Sequence, residues 1–439
     1  MTFLTASDKA LWRLALPMIF SNITVPLLGL VDTAVIGHLD SPVYLGGVAV
    51  GATATSFLFM LLLFLRMSTT GFTAQAFGAK DPQALARALV QPLLLALIAG
   101  VAIVALKTPL IHLTLHIVGG SDAVLEQARR FLEIRWLSAP ASLANLVLLG
   151  WLLGIQYARA PVILLVVGNL FNIVLDVWLV MGLHMNVQGA ALATAIAEYA
   201  TLIVGLVMVR HGLRRRGVTS AMLKSAWRGN VRRLLALNRD IMLRSLLLQL
   251  CFGSVTVLGA RLGGDIVAVN AVLMTLLTFT AYALDGFAYA VEAHSGQAYG
   301  ARDGSQLLDV WQAACRQSGV VALAFALIYA LLGEQIVALL TSIPELQRLA
   351  DRYLGWQIVL PVVGVWCYLL DGMFIGATRG AQMRNSMAIA AAGFAVTLLT
   401  VPALGNHGLW LSLLVFLALR GLTLGWIWRK HWRNGTWFS

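Results

Sequence analysis

Carboxylates inside long apolar stretches are the residues of this sequence best suited to chemistry. Asp32 lies deep in an apolar run close to Pro26 and Gly29, which can open a helix and leave backbone carbonyls free for a cation. Asn172 and Asp176 are four residues apart, so on a helix they share one face. Burial disfavours an ionised carboxylate and a bound cation favours it, so protonation and cation binding compete at such sites.

These residues also have structural interpretations. A charge at the bilayer centre costs roughly 2.5 to 3.5 kcal/mol on insertion scales, which makes membrane carboxylates candidates for proton or cation coupling. Asp32 could instead cap a helix or bond a neighbouring helix, and the Asn172 and Asp176 pair could be a polar contact between helices.

A second group of polar residues forms possible relays or cleft-lining positions. Asp285 and Glu292 are seven residues apart and lie near one face of a predicted helix. Arg66 is a candidate counter-ion for them, the alternative being a buried salt bridge. Asp371 is expected to line the C-terminal half of a central cleft. Glu198 could extend a proton path, or equally could pair with a basic residue.

The composition places the chain in a membrane. Of its 439 residues 59% are hydrophobic and only 11% are charged, whereas about a quarter are charged in an average soluble domain. The net charge of +12 is spread over short connections and forms no basic aromatic face, which argues against nucleic-acid binding. The three cysteines have no paired spacing, and we find no nucleotide-binding motif. We therefore expect no metal and no cofactor beyond a coupling ion, H+ or Na+.

Apolar runs of about 20 residues predict twelve transmembrane helices. The predicted spans are 12–36, 43–68, 88–115, 130–155, 161–182, 187–209, 240–262, 266–296, 312–340, 353–376, 384–403 and 408–428. The basic connections, including the longest at 210–239, all fall on one side of the membrane. By the positive-inside rule that side is cytoplasmic, so both termini are predicted to be cytoplasmic.

An internal repeat divides the chain into two halves. TAQAFGAKD begins at Thr73 and SGQAYGARD begins at Ser295, an offset of 222 residues, which Gly154 and Gly376 share. Six spans separate the copies, so both halves enter the membrane in the same orientation.

The predicted fold is thus an all-α membrane protein with two six-helix bundles related by pseudo-two-fold symmetry. Residues 1–209 would form the N-terminal bundle, 210–239 a basic cytoplasmic linker and 240–439 the C-terminal bundle. Two such bundles around a cleft suit alternating access by rocking.

Four motifs in order carry a family resemblance: VDTAVIGHLD at 31–40, GFTAQAFGAKD at 71–81, GLHMNVQGAALATAI at 182–196 and GATRG at 376–380. With them the chain resembles the multidrug and toxic compound extrusion family over essentially its whole length, and within it the DinF-type bacterial branch. The resemblance implies a secondary antiporter that expels amphipathic, often cationic compounds in exchange for entering protons or sodium ions.

The resemblance also implies site residues. Members of the family use an aspartate on span one, an Asn-x-x-x-Asp pair on span five and a threonine on span six as a cation site. The matching residues here are Asp32, Asn172, Asp176 and Thr194. Another branch couples sodium through acidic residues on spans seven and ten. Asp371 matches the span-ten position, but Gln249 stands near the span-seven position where that branch has a glutamate, which argues against a C-terminal sodium site.

The sequence therefore predicts an antiporter of the bacterial inner membrane that is driven by protons, with sodium as the alternative ion. A flippase for lipid-linked precursors, from the same superfamily, is the nearest alternative. A membrane enzyme would need a nucleophile or metal set at one surface, and a channel would need a filter-like segment; we find neither. The expected partners are a small amphipathic substrate and the lipid bilayer, and we expect a monomer.

Overall fold

The computed structural model describes residues 5–39, 41–229 and 231–439, apart from the side chains of residues 25–33. All regular structure in these residues is helical, which confirms the predicted fold class. The helices are α1 (Ala6–Gly37), α2 (Pro42–Leu61), α3 (Phe64–Gly78), α4 (Pro82–Ala105), α5 (Lys107–Val118), α6 (Asp122–Arg135), α7 (Ala139–Gly154), α8 (Ala160–Asp176), α9 (Asn186–Arg215), α10 (Ser220–Ser225), α11 (Arg232–Leu262), α12 (Gly264–Ala301), α13 (Gly304–Leu340), α14 (Pro344–Gly376), α15 (Gly380–Thr397), α16 (Val401–Leu404) and α17 (Asn406–Arg433).

The helical surface is built for lipid. Within the described residues, eleven helical stretches are long and apolar enough to cross a membrane, and α1 runs through the predicted first span. Large aliphatic side chains point outward from these stretches, for example Leu331 at 75% and Leu339 at 87% exposure. So much exposed apolar surface is unfavourable in water and requires a lipid environment. The protein is therefore a multi-pass membrane protein; the orientation of its termini stays a prediction.

Several predicted spans are interrupted helices. The span predicted at 43–68 consists of α2 and the start of α3, which are separated at Leu62 and Leu63. The span predicted at 88–115 is divided between α4 and α5 at Leu106. No glycine or proline marks the first break, whereas Lys107 and Pro109 directly follow the second. Hydropathy alone joined the two parts of each span, but Pro109 was a local signal of the second break.

The chain forms two compact units. One is Ile23–Leu234, and the other combines the chain up to Asn22 with Leu235–Ser439. The first half of α1 thus belongs with the C-terminal helices, whereas the sequence assigned all of it to the N-terminal bundle. Hydropathy indicates where a helix crosses the membrane but not which helices it packs against.

Specific contacts hold the first half of α1 in the C-terminal unit. Arg316 pairs with the buried Asp8 at 3.1 Å. Trp12 donates from Nε1 to Gln317 Oε1 at 2.8 Å, and its ring packs edge-on against Phe287 with 4.8 Å between centroids. These polar and aromatic contacts attach the start of α1 to helices α12 and α13.

The predicted linker is mostly helical at its two ends. α9 continues to Arg215 and α11 begins at Arg232, so only 216–231 connects them, with α10 in between. Apolar residues of this connection pack on the N-terminal unit, since Val218 and Ala226 are both buried. The sequence analysis assigned the charged ends of α9 and α11 to the linker because these ends extend beyond the apolar spans.

The repeated motif has the same structure in both halves. Lys80 and Arg302 both adopt a left-handed backbone conformation, with φ of 54° and 53°. The aspartates that follow, Asp81 and Asp303, accept hydrogen bonds from the first N–H groups of α4 and α13. The motif is therefore a tight helix-to-helix connection in which the left-handed residue ends one helix and the aspartate caps the next.

Paired glycines bring two helices into close contact in each half. In the N-terminal unit, a Cβ added to Gly150 would lie 2.6 Å from the carbonyl oxygen of Arg66 on α3. In the C-terminal unit, a Cβ on Gly372, which is 222 residues further on, would lie 2.7 Å from the carbonyl oxygen of Ala288 on α12. The same helix packing, which depends on small residues, thus occurs in both copies of the repeat.

Gly376→Ala is expected to destabilise the protein by about 1–3 kcal/mol, because overpacking a tight helix contact forces the backbones apart. Its Cβ would lie 2.4 Å from Ser295 Oγ and 2.8 Å from the backbone nitrogen of Gly296. The fall in thermal unfolding midpoint of the purified protein in detergent measures the effect. Gly355→Ala is the matched control on the same helix, where a Cβ meets nothing within 4 Å. It is expected to be neutral or stabilising, since alanine is the better helix former. Equal effects of the two changes would refute the steric explanation.

Candidate functional site

Asn172 and Asp176 lie on the buried face of α8. Asn172 is 1% and Asp176 0% exposed, whereas Leu170 and Val174, on the opposite face, are largely exposed. The buried positions of α8 recur every four residues, as the predicted helical spacing requires. Both polar side chains are therefore turned into the N-terminal unit and away from lipid.

Thr194 on α9 lies beside this pair. Asn172 donates from Nδ2 to Thr194 Oγ1 at 3.4 Å, and Thr194 donates to the carbonyl of Ala190 at 3.2 Å. The two helices approach closely at Gly168, where an added Cβ would lie 3.0 Å from Thr201 Oγ1. The structure thus brings together the span-five and span-six residues that the family resemblance implied.

The Asn172 amide oxygen is a potential ligand. Asn172 Oδ1 is buried and receives no hydrogen bond from the described residues. Buried polar atoms in proteins nearly always have a partner, and carbonyl oxygens are good ligands for small hard cations. This oxygen is suited to bind a sodium ion, and the Asp176 carboxylate on the same face is the group that can take up a proton.

A π-helical turn begins directly after Asp176. In the segment Val177–Gly182 the helix widens, and the N–H of Leu183 bonds the carbonyl of Trp178 at 2.9 Å, five residues back. Such turns are rare and are frequent at functional sites. Sequence patterns did not predict this turn, because the segment is uniformly apolar and its hydropathy continues that of the preceding helix.

Asp32 lies in α1 together with Pro26 and Gly29. The side chains of Asp32 and Pro26 are not among those that the structure describes, so the role of Asp32 stays a prediction.

Glu198 is held by a basic partner. Its carboxylate pairs with Arg135 at 3.7 Å and accepts a hydrogen bond from Asn145 Nδ2 at 3.1 Å. Asn145 also donates to the backbone carbonyl of Glu198 at 3.0 Å. Of the two roles considered for Glu198, these contacts match the ion pair.

Arg66 is buried in α3 of the N-terminal unit, where its Nη1 donates to Thr70 Oγ1 at 3.3 Å. Its proposed partners, Asp285 and Glu292, belong to α12 of the other unit. The pairing of Arg66 with these carboxylates stays a prediction.

Asp371 lies at the centre of a buried charge cluster in the C-terminal unit. Arg244 on α11 and Arg420 on α17 each place an Nη2 atom 2.6 Å from Asp371 Oδ2. All three side chains are buried. Two guanidinium groups around one carboxylate oxygen oppose the binding of a metal cation there, which agrees with the doubt that Gln249 raised about a C-terminal sodium site.

Sequence reasoning did not single out Arg244 and Arg420. A signal was present, because each arginine lies inside a predicted apolar span, at 240–262 and 408–428, where charged residues are rare and are usually paired or functional. Their common partner Asp371 is 127 and 49 residues away in the chain, which no local pattern reveals.

The remaining predicted residues differ in accessibility. Asp285 is partly exposed and lies within electrostatic range of Asp371, Arg420 and Arg244, while Glu292, two turns further along α12, is buried. Gln249 on α11 is half-buried. In the described part of the chain, no group of three or more His, Cys, Asp or Glu side chains could hold a metal ion.

Comparison with known proteins gives consistent matches. The MatE family model matches this chain twice, at residues 17–178 and 241–402, once in each copy of the internal repeat. DNA damage-inducible protein F of Escherichia coli is 84% identical over 439 residues, which are 100% of this chain and 96% of that protein. The probable multidrug resistance protein NorM of Acinetobacter baylyi is 25% identical, over 94% of this chain and 93% of that protein.

Solved structures share the fold. An outward-facing multidrug resistance MATE family transporter of the MOP superfamily superposes with a TM-score of 0.83 at 22% identity, over 98% of this chain and 96% of that chain. At this level of identity the likeness concerns the fold alone.

Proposed function

The chain belongs to the multidrug and toxic compound extrusion (MatE) family of membrane transporters, and on that premise we propose that it is a secondary antiporter that exports amphipathic or cationic organic compounds in exchange for protons. Sodium is the second candidate for the coupling ion. The named relatives support the export of drugs, since one of them is described as a probable multidrug resistance protein.

One observation carries the coupling proposal. Asp176 is completely buried next to Asn172, and Asn172 contacts Thr194 across the α8–α9 interface. An ionisable group at this depth is expensive to keep charged, so a function that uses its charge change accounts for its presence.

In the proposed mechanism, protons and a cation compete for this site. When the carboxylates of Asp32 and Asp176 are ionised, they attract a cation; when they take up protons, the charge that held the cation is removed. The π-helical turn after Asp176 gives the helix a place where the backbone can change its hydrogen bonding as the site is protonated. Such a change would favour the outward-facing conformation, from which the cargo is released.

The test is uptake of a fluorescent organic cation by proteoliposomes under an imposed proton gradient, with and without sodium. The wild-type protein is expected to take up the dye in exchange for protons that leave the vesicle, and Asp32→Asn is expected to abolish gradient-driven uptake, because an amide cannot exchange a proton. Equal transport by both proteins would remove Asp32 from the mechanism.

Two other outcomes would redirect the function. Transport that follows a sodium gradient and ignores the proton gradient would establish sodium as the coupling ion. No dye transport by the wild type, together with flipping of lipid substrates in liposomes, would favour the lipid-precursor flippase.

A further inference from the structure

Two carboxylates of the C-terminal unit, Asp371 and Asp285, differ in whether they contact a positively charged partner. Asp371 accepts hydrogen bonds from Arg244 and Arg420 at 2.6 Å each, and all three are buried. Without this carboxylate the two buried guanidinium groups would lose their partner, which is strongly unfavourable. Asp371 is therefore bound to both arginines at once.

Asp285 has a different environment. It is partly exposed, and the described residues offer its carboxylate no ion pair and no hydrogen bond. Its nearest charges are Asp371 on α14, Arg420 on α17, Arg244 on α11 and, on its own helix, Glu292. A carboxylate that is accessible and unpaired in this way can gain and lose a proton without breaking a contact.

Among the described residues of the C-terminal unit, the other neighbours of this part of α12 are uncharged or apolar. Tyr282 precedes Asp285 by one turn, and Cys367 and Tyr368 of α14 lie within electrostatic range of it. On α13, Tyr329 has its hydroxyl bound to Thr280 and to the Leu276 carbonyl, both at 2.8 Å. Helix α1 meets the next residue, Gly286, through the apolar Ile19. Arg244, Arg420 and Asp371 are thus the main sources of the electrostatic potential at Asp285.

The charge balance of this cluster depends on one proton. Beside the triad of Arg244, Asp371 and Arg420 and the buried Glu292, ionised Asp285 adds one negative charge at an accessible position, where an organic cation can bind. Protonation of Asp285 removes that negative charge while the two guanidinium groups remain close by, which weakens the attraction of a cation. Protons and cationic substrates therefore exclude each other at this position.

We propose that Asp285 is a proton-exchanging carboxylate of the C-terminal unit, next to the buried, hydrogen-bonded triad of Arg244, Asp371 and Arg420. The proposal rests on the proposed function and deepens it, since it adds a second coupling site that favours cationic cargo. The step is a simple protonation: the Asp285 carboxylate takes one proton from water on the side where cargo leaves and gives the same proton to water on the other side.

The first test is equilibrium binding of tetraphenylphosphonium to the purified full chain in detergent across a pH series. The affinity of the wild type is expected to rise with pH, and Asp285→Asn is expected to lower the number of protons displaced per bound cation by about one. Asp285→Glu should keep the wild-type pH dependence, as should Glu334→Gln, which changes an exposed carboxylate on α13. An unchanged pH dependence in Asp285→Asn overturns the proposal.

A second test needs neither ligand nor transport. Dicyclohexylcarbodiimide reacts with protonated carboxyl groups in apolar surroundings, and peptide mass spectrometry locates the adduct. Labelling of Asp285 is expected to fall about tenfold per pH unit above its titration midpoint, while Asp371, whose carboxylate is occupied by two arginines, stays unlabelled. Labelling of Asp371, or absent or pH-independent labelling of Asp285, overturns the proposal.

The two proposals can fail separately. If Asp285 titrates in both tests but the wild type moves no dye, the export function is wrong and the assignment of Asp285 stands. If uptake follows the proton gradient but Asp285→Asn displaces as many protons as the wild type, the assignment alone is wrong.

Discussion

Asp176→Asn is expected to reduce proton-driven dye uptake to the level of protein-free vesicles. The substitution keeps the size and polarity of the side chain but removes the group that can exchange a proton. Because Asp176 is fully buried and shares a helix face with Asn172, no water-exposed group of α8 can replace it. Uptake by proteoliposomes under an imposed proton gradient measures the effect.

Two variants sharpen this experiment. Asp122→Asn changes an exposed carboxylate of the same unit and is expected to leave uptake at the wild-type rate. Thr194→Val keeps the side-chain volume but removes the hydroxyl that contacts Asn172, so a partial loss is expected. Wild-type uptake by Asp176→Asn would contradict a coupling role for the α8 pair.

Asp371→Asn is expected to destabilise the protein by about 3–5 kcal/mol, the range for removing one member of a buried ion pair. The neutral amide would leave Arg244 and Arg420 facing each other without the carboxylate that both now contact at 2.6 Å. The measurement is the shift in unfolding midpoint, by heat or by added SDS, of the purified protein in detergent.

An exposed ion pair provides the matched control. Glu126 pairs with Arg129 at 2.5 Å, but 44% and 42% of their side chains are exposed. Solvent screening makes such pairs weak, so Glu126→Gln is expected to shift the midpoint far less than Asp371→Asn. Similar shifts for the two variants would show that the buried triad contributes no special stability.

The fold was largely predictable because its main signals are local. Each helix must satisfy its own backbone hydrogen bonds in lipid, so apolar length alone located the spans. The offset of 222 residues then identified the duplication, and the same glycine-mediated contacts recur in both halves at Gly150 and Gly372. The break at Leu62 was missed because no residue there signals it, whereas the break at Leu106 had a signal in the following Lys107 and Pro109 that hydropathy alone did not use.

The candidate site was only partly predictable. The spacing of Asn172 and Asp176 correctly placed both residues on one helix face, because side chains four residues apart on an α-helix point to nearly the same side. Their contact with Thr194 came from family resemblance, since 22 residues separate Thr194 from Asn172 and nothing local links them.

The sequence by itself determined that this is a helical membrane protein of two similar halves, with carboxylates in its apolar spans, since these properties depend on hydropathy and on repeats along the chain. Only the tertiary structure decided which charges neutralise each other: Glu198 is held by Arg135, Asp371 by two arginines, and Asp285 by none in the described part of the chain. The physical reason is that a charge in a medium of low dielectric constant is governed by its nearest partners in space, and those partners come from helices far apart in sequence.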